Sequence, residues 1–145
     1  MKLSFVVFGT PRAQPRQRHR VITTKFNQSF VHNYTSKRDP VNDWKRDIQL
    51  EASRICKSPF VGPLRVDIAL FFLRPQRLMT KKAPDGPMWH TVKPDRDNLE
   101  KAILDALKGI LFLDDCQVCA GEVKKFYTEK DRDARAEISV SPLVP

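Results

Sequence analysis

Between Leu64 and Phe72 the chain reads L-R-V-D-I-A-L-F-F, with Leu64, Val66, Ile68, Leu70 and Phe72 on every second position. Side chains two apart share one face of a strand. This stretch is therefore a β-strand that needs a layer packed over its apolar face. Arg65 and Asp67 mark the opposite face, and Phe71 places the far end under cover on both sides. A second pattern has the helical period. Val41, Trp44, Ile48, Ala52 and Ile55 recur at three- and four-residue steps, closed by Pro59, Gly62 and Pro63. Asn98 to Lys108 predicts another helix that Gly109 stops. Leu99, Ala102, Ile103, Ala106 and Leu107 form its inner stripe, and Lys101, Asp105 and Lys108 its outer side. Leu3 to Phe8, Val118 to Tyr127 and Ala134 to Val140 read as further strands, and Val21 to Val31 as a short hairpin turning near Asn27 and Gln28. Together these predict one domain over residues 1–145. It is of mixed α/β (α+β) class, with a mixed sheet of about four or five strands packed with two main helices.

No apolar run approaches the ~20 residues of a membrane span. Leu3 to Phe8 is too short for a signal-peptide core, and no small-residue cleavage site follows it. The expected compartment is the cytoplasm, with no membrane partner. Cys56, Cys116 and Cys119 are an odd and low count, which does not read as a disulfide framework. Cys116 and Cys119 form a C-x-x-C, but on a strand residues three apart diverge, and a zinc site needs two more ligands at suitable spacing. The expectation is small buried hydrophobes.

The net charge of +9 is unevenly placed. Residues 1–38 hold eight Lys or Arg and no Asp or Glu, whereas the rest of the chain is nearly balanced. A charge so concentrated points to a polyanion. Arginines interleaved with Pro, His and aromatic residues favour nucleic acid, and Pro11 and Pro15 argue against a basic membrane-binding helix. The stretch R-A-Q-P-R-Q-R-H-R makes 10–20 a basic loop. A second long loop at 74–94 carries four prolines and five Lys or Arg against one Asp. Loops of that length are usually functional or disordered; its position directly before an acidic cluster favours function.

That cluster opens K-P-D-R-D-N-L-E-K. Pro94 keeps its predecessor extended, and in extended chain Asp95 and Asp97 point to one side. Two converging carboxylates suit a divalent cation, and Mg²⁺ typically takes one or two of them plus water and phosphate. Asp97 is equally placed to be a helix N-cap with Glu100 completing the box. Asp114 and Asp115 follow a strand-like run, Ile110 to Leu113. Either they form a turn, or one of them returns beside Asp95 and Asp97 as a third carboxylate. Lys101 lies one helical turn after Asp97. There it is placed either for an ordinary ion pair or to neutralise a phosphate in the transition state.

These residues carry a resemblance. Lys93-Pro94-Asp95-Arg96-Asp97-Asn98-Leu99-Glu100-Lys101, then Asp105-Ala106-Leu107, then Asp114-Asp115-Cys116-Gln117-Val118 resemble the signature of the RusA-type Holliday junction resolvases, a family common in prophages. Weaker similarity extends over the basic loop, the Y-T-S-K segment and the closing strands. The resemblance implies a homodimer that binds four-way DNA junctions and nicks two strands symmetrically with Mg²⁺, for which Mn²⁺ substitutes. It implies Asp95, Asp97 and Asp115 as metal-site carboxylates, Lys101 as the essential lysine and Asp114 as a helper. Arg96 departs from the pattern, which usually has an aliphatic residue there, and is expected to snorkel outward.

The resulting expectation is metal-assisted phosphodiester hydrolysis in recombination or repair. The DNA arms would be held by Arg12, Arg16, Arg18 and Arg20 from the first loop and by Arg74, Arg77, Lys81, Lys82 and Lys93 from the second. Phe71-Phe72 and Ile110 to Leu113 are more apolar surface than one small core is expected to hide, in keeping with a dimer. Two other classes fit the same residues: a Mg²⁺-dependent nuclease for flaps or RNA, and a non-catalytic DNA-binding protein whose carboxylates are caps and turns.

Overall fold

The computed structural model describes residues 1–15, 18–34 and 36–144. In chain order the elements are β1 (Leu3–Phe8), β2 (Arg18–Thr23), β3 (Ser29–Tyr34), α1 (Val41–Ile55), β4 (Leu64–Phe72), β5 (Met88–Trp89), α2 (Arg96–Leu107), β6 (Val118–Ala120), β7 (Val123–Tyr127) and β8 (Arg135–Pro142). Short 3-10 turns cover Gln76–Leu78 and Asp115–Gln117.

β4, the strand with the strictest alternation, lies at the centre of a mixed six-stranded sheet in the order β1-β8-β4-β7-β5, with β6 also on β4. β8 runs antiparallel to β4, while β6 and β7 run parallel to it. The parallel pairing follows from the long crossover through α2, which returns the chain in the direction of β4. Both helices lie over one face. Leu64, Val66, Ile68, Leu70 and Phe72 of β4 pack with Val41, Trp44, Ile48 and Ala52 of α1 and the stripe Leu99, Ala102, Ile103, Ala106 and Leu107 of α2 in one core. Lys45 to Asp105 at 3.0 Å pins the helices together on the solvent side. β2 and β3 form a separate hairpin whose turn carries Asn27 at φ 58°, as the sequence predicts; asparagine tolerates that left-handed conformation.

Several details differ from the sequence reading. α2 starts at Arg96 rather than Asn98, because Asp95 is already the extended N-cap residue (φ −72°, ψ 146°). Ile110 to Leu113 is a turn rather than a strand, and it buries Leu111 and Phe112 completely. Phe71 and Phe72 are also buried, Phe71 against Phe126 on the sheet's far face. The chain therefore hides most of the segments expected to be left over for a partner, with Leu113 the exception at 68% exposed. Cys116 and Cys119 are exposed rather than buried: Cys116 sits in a 3-10 turn and not in a strand, and Cys119 is the exposed residue of β6. The charge of Asp114 raises the Cys116 thiol above its ordinary range, the reverse of what a reactive thiolate needs.

Val118 to Tyr127 is two strands rather than one. The break at Gly121 has a steric cause: φ is +143°, and a Cβ there would lie 1.8 Å from the Val66 carbonyl oxygen. The bend lets the Asp67 carboxylate accept from Glu122 N at 2.9 Å. Gly121→Ala is expected to destabilise the fold by about 2–3 kcal/mol from strain and overpacking. A denaturation midpoint equal to that of the wild type would show that β6 and β7 do not approach β4 so closely.

Candidate active site

Asp95 and Asp97 stand at the mouth of α2, as N-cap and second helical residue. The Lys93–Pro94 peptide bond is cis. Asp95 accepts no capping hydrogen bond with its side chain, which removes the capping explanation for this carboxylate, and the box expected from Asp97 and Glu100 does not form because the cap lies two residues earlier. Among the described residues neither carboxylate makes an ion pair. Lys101, one turn on and exposed, makes none either; Asp105, its other candidate partner, is taken by Lys45. Three charged groups thus share one exposed helix end without neutralising each other. Lys93, Pro94, Asp95 and Asn98 line an open cleft of about 440 Å³ there.

Asp114 and Asp115 stand elsewhere. Asp114 is the N-cap of the 3-10 turn, accepting from Cys116 N at 3.2 Å, while Gln117 Oε1 accepts from Asp114 N and Gln117 Nε2 donates to the Phe60 and Gly62 carbonyls. The Cys116 N–H holds Asp114 below the usual carboxylate range, with hydrogen bonding to Asp115 and the charge of Lys108 acting the same way. Lys108 is the C-cap of α2, so this pair belongs to the opposite end of the helix. Twelve residues of α2 at about 1.5 Å each put roughly 18 Å between the two ends. The return of Asp115 to Asp95 and Asp97 within one chain therefore does not occur. Among the described residues no three His, Cys, Asp or Glu side chains are grouped to hold a metal ion.

The donor set at the helix mouth nonetheless fits a hard divalent cation. It is two unpaired carboxylates open to water, the number Mg²⁺ typically takes from protein.

The basic loops approach the same end of α2. Gln14 N donates to the Asn98 carbonyl at 2.9 Å, so the first loop is docked against the first turn of the helix. Arg12 and Arg20 are exposed. Arg16 lies outside the described residues, and so does the side chain of Arg18. Arg77, Lys81, Lys82 and Lys93 are exposed, as expected for residues that meet a ligand. Arg74 is the exception. It is buried, and its guanidinium donates to the carbonyls of Thr128, Leu78 and Gly86. A side chain so engaged is a staple of the 74–94 loop and is not a DNA contact.

Arg96 is exposed, as its departure from the pattern predicts. It borders a neighbouring cleft with Trp89 and His90, two residues the sequence reading passed over. His90 is buried between Phe72 and Tyr127, and burial, with Lys125 nearby, lowers its pKa. Their only signal was an aromatic pair in a polar, proline-rich loop.

The comparison with known proteins joins this geometry. The family described as endodeoxyribonuclease RusA matches residues 9–141, which takes in both basic loops, α2 and all four aspartates. The chain is also similar to the uncharacterized protein YqaN of Bacillus subtilis (strain 168), 33% identical over 138 residues that cover 90% of this chain and 91% of that one. Among the described residues no helix is long and apolar enough to cross a membrane. Matched over nearly its whole length, with unpaired carboxylates and a lysine exposed at one helix mouth, the chain belongs to the RusA endodeoxyribonuclease family.

Proposed function

We propose that this nuclease is a divalent-metal-dependent, structure-specific endonuclease that resolves four-way DNA junctions by paired symmetric nicks in recombination or repair. The observation that carries the reading is the unpaired trio Asp95, Asp97 and Lys101 at the exposed mouth of α2 in a chain of this family. Asp95 and Asp97 would hold the cation, Mg²⁺ or Mn²⁺. When bound, it supplies a more acidic water and charge stabilisation for in-line displacement at phosphorus. Lys101 places an ammonium beside the scissile phosphate, where its charge offsets that developing in the transition state. Arg12, Arg16, Arg18, Arg20, Arg77, Lys81, Lys82 and Lys93 position the backbone of the arms.

Asp115, with Asp114 beside it, enters this scheme through a second copy. A two-fold axis makes every contact reciprocal. It can set the Asp114–Asp115 end of one α2 beside the Asp95–Asp97 end of the other, completing both sites together. The same axis matches the symmetry of a four-way junction, whose resolution needs two cuts. We place the enzyme in the cytoplasm, where its DNA substrate lies.

The test is incubation with a synthetic four-way junction, a flap, a linear duplex and RNA, each with Mg²⁺ and with EDTA. The expected result is symmetric nicking of the junction with Mg²⁺ alone. Preferred cutting of flaps or RNA would replace the substrate, and metal-independent binding without cutting would leave only a DNA-binding protein. Junction affinity is also expected to fall steeply with salt, as neutralised phosphates release counterions. Replacing Arg16, Arg18 and Arg20 with Ala should flatten that slope by about one unit per lost contact. An unchanged slope would move the DNA surface away from this arm.

A further inference from the structure

β5 is only two residues long, and it stops while its neighbour still offers an edge. Met88 and Trp89 pair with Tyr127 and Phe126, and His90 N donates to the Lys125 carbonyl at 3.1 Å. Beyond that point no strand among the described residues pairs the outer edge of β7. The gap is an open cleft of about 830 Å³, bounded by Trp89 on one side, Arg96 and Glu100 of α2 on another, and Lys124 and Lys125 of β7 below.

Trp89 is 65% exposed, unusual for a side chain that is mostly well buried. Yet its ring is held firmly. It stacks on Phe126 at 4.7 Å between centroids, and Phe126 stacks on Phe71 at 5.2 Å, each pair inclined by 22°. The Arg135 guanidinium closes the column 3.8 Å from the centre of the Phe71 ring and is itself fixed by Glu129 and Glu137. The column has one open end, the outer face of the indole. Another flat ring could add there at little ordering cost, because the platform is already rigid. Its surroundings select which ring. Arg96 makes no ion pair among the described residues, and Lys125 uses one proton on the Val92 carbonyl. Lys124 pairs with Glu122 at 3.3 Å in the open, where such pairs are weak. Glu100 is the other acid in the cleft. An uncharged ring attached to an anionic backbone suits this combination. Arg96 also stands between Asp95 and Asp97 in sequence, so the platform borders the candidate catalytic mouth.

We infer that Trp89 is the stacking platform for an unpaired nucleobase at the branch point, with Arg96 and Lys125 on the flanking phosphates. By capturing one base it helps to fix which phosphate is cut. Bases at a branch have lost part of their stacking, so displacing one costs less there than within a duplex. The inference rests on the junction-nuclease reading, and its test separates the two.

Trp89 shares the chain with one other tryptophan, Trp44, which is 3% exposed. Emission quenched on adding DNA therefore reports Trp89. The wild-type protein in EDTA would be titrated with a four-way junction, a linear duplex and single-stranded oligothymidylate, and cleavage followed separately in Mg²⁺. Quenching is expected with the junction and the single strand and much less with the duplex. Trp89→Ala should weaken junction binding roughly ten- to hundredfold, the range for losing one base–aromatic stack, and scatter the cut sites; duplex binding should barely change. Trp89→Phe should recover most of the lost affinity, because it restores a ring. No quenching by either junction or single strand would overturn the inference. So would a Trp89→Ala protein with wild-type junction affinity, or one that has lost its dimer on gel filtration, which would make the indole a subunit contact. Quenching by single-stranded DNA in a protein that cuts nothing would instead sink the junction reading and keep the platform.

Discussion

A chain carrying Asp97→Asn is expected to cut a four-way junction at least about a thousandfold more slowly than the wild type, while binding it as tightly or more tightly. Losing a metal ligand removes several kcal/mol of transition-state stabilisation, and each 1.36 kcal/mol is tenfold in rate. The substitution also removes a negative charge facing phosphate, which explains the preserved affinity. Asp95→Asn and Asp115→Asn should behave alike. Asp105→Asn should not, because that carboxylate spends its charge on Lys45 at 3.0 Å. Junction binding and single-turnover cleavage, measured on folded protein, decide the matter, and substantial Mg²⁺-dependent nicking by Asp97→Asn would remove it from the site. Mixing wild-type and Asp97→Asn chains adds a reading of assembly. If each site draws on both subunits, heterodimers should nick one strand and release no linear duplex. Resolution by a protein that light scattering shows to be monomeric would contradict the dimer.

Lys101→Ala is expected to slow cleavage on the order of 10²–10³, the range for losing one preorganised charge-stabilising donor. Its affinity for the junction should change little, since eight other basic residues are assigned to the backbone. The structure sharpens this expectation: Lys101 makes no ion pair among the described residues, so its removal leaves no carboxylate newly bereft of a partner. A loss seen wholly as weaker binding would make Lys101 a phosphate anchor with no part in the chemical step.

The sequence reveals most where one physical demand sets a period. The alternation in β4 and the stripes of α1 and α2 are each dictated by a single buried face, and all three appear at or near their expected limits. Legibility fails where tertiary neighbours decide. Gly121 looks like any glycine until the Val66 carbonyl is known to lie against it. Arg74 has the same local signature as Arg77, and only the fold shows that carbonyls from three separate segments converge on its guanidinium. The spacing of Asp95 and Asp97 reads as extended chain, whereas α2 begins at Arg96 between them, so the same-side argument from alternation does not carry over; the place of Asp115 depends on where the chain goes after α2, which no spacing encodes. Trp89 escaped notice because its meaning comes from Phe126 and Phe71, distant in sequence and adjacent only in the sheet.

The Arg74 staple carries a thermodynamic consequence for the 74–94 loop. A flexible basic loop would have to surrender its disorder on meeting DNA, and part of every favourable contact would be spent on that loss. Here the ordering occurs at folding instead. One guanidinium gathers Leu78, Gly86 and Thr128, and Lys130 reaches Asp85 at 3.3 Å to tie the loop tip to the turn after β7. Lys81 and Lys82 lie between the anchors at Leu78 and Asp85, so their distance from the sheet is set before any ligand arrives. The positive charge of this loop thus acts as a fixed feature of the surface, and under the proposed DNA-binding role the enthalpy of contacts with phosphate would reach the binding equilibrium with little backbone-entropy offset.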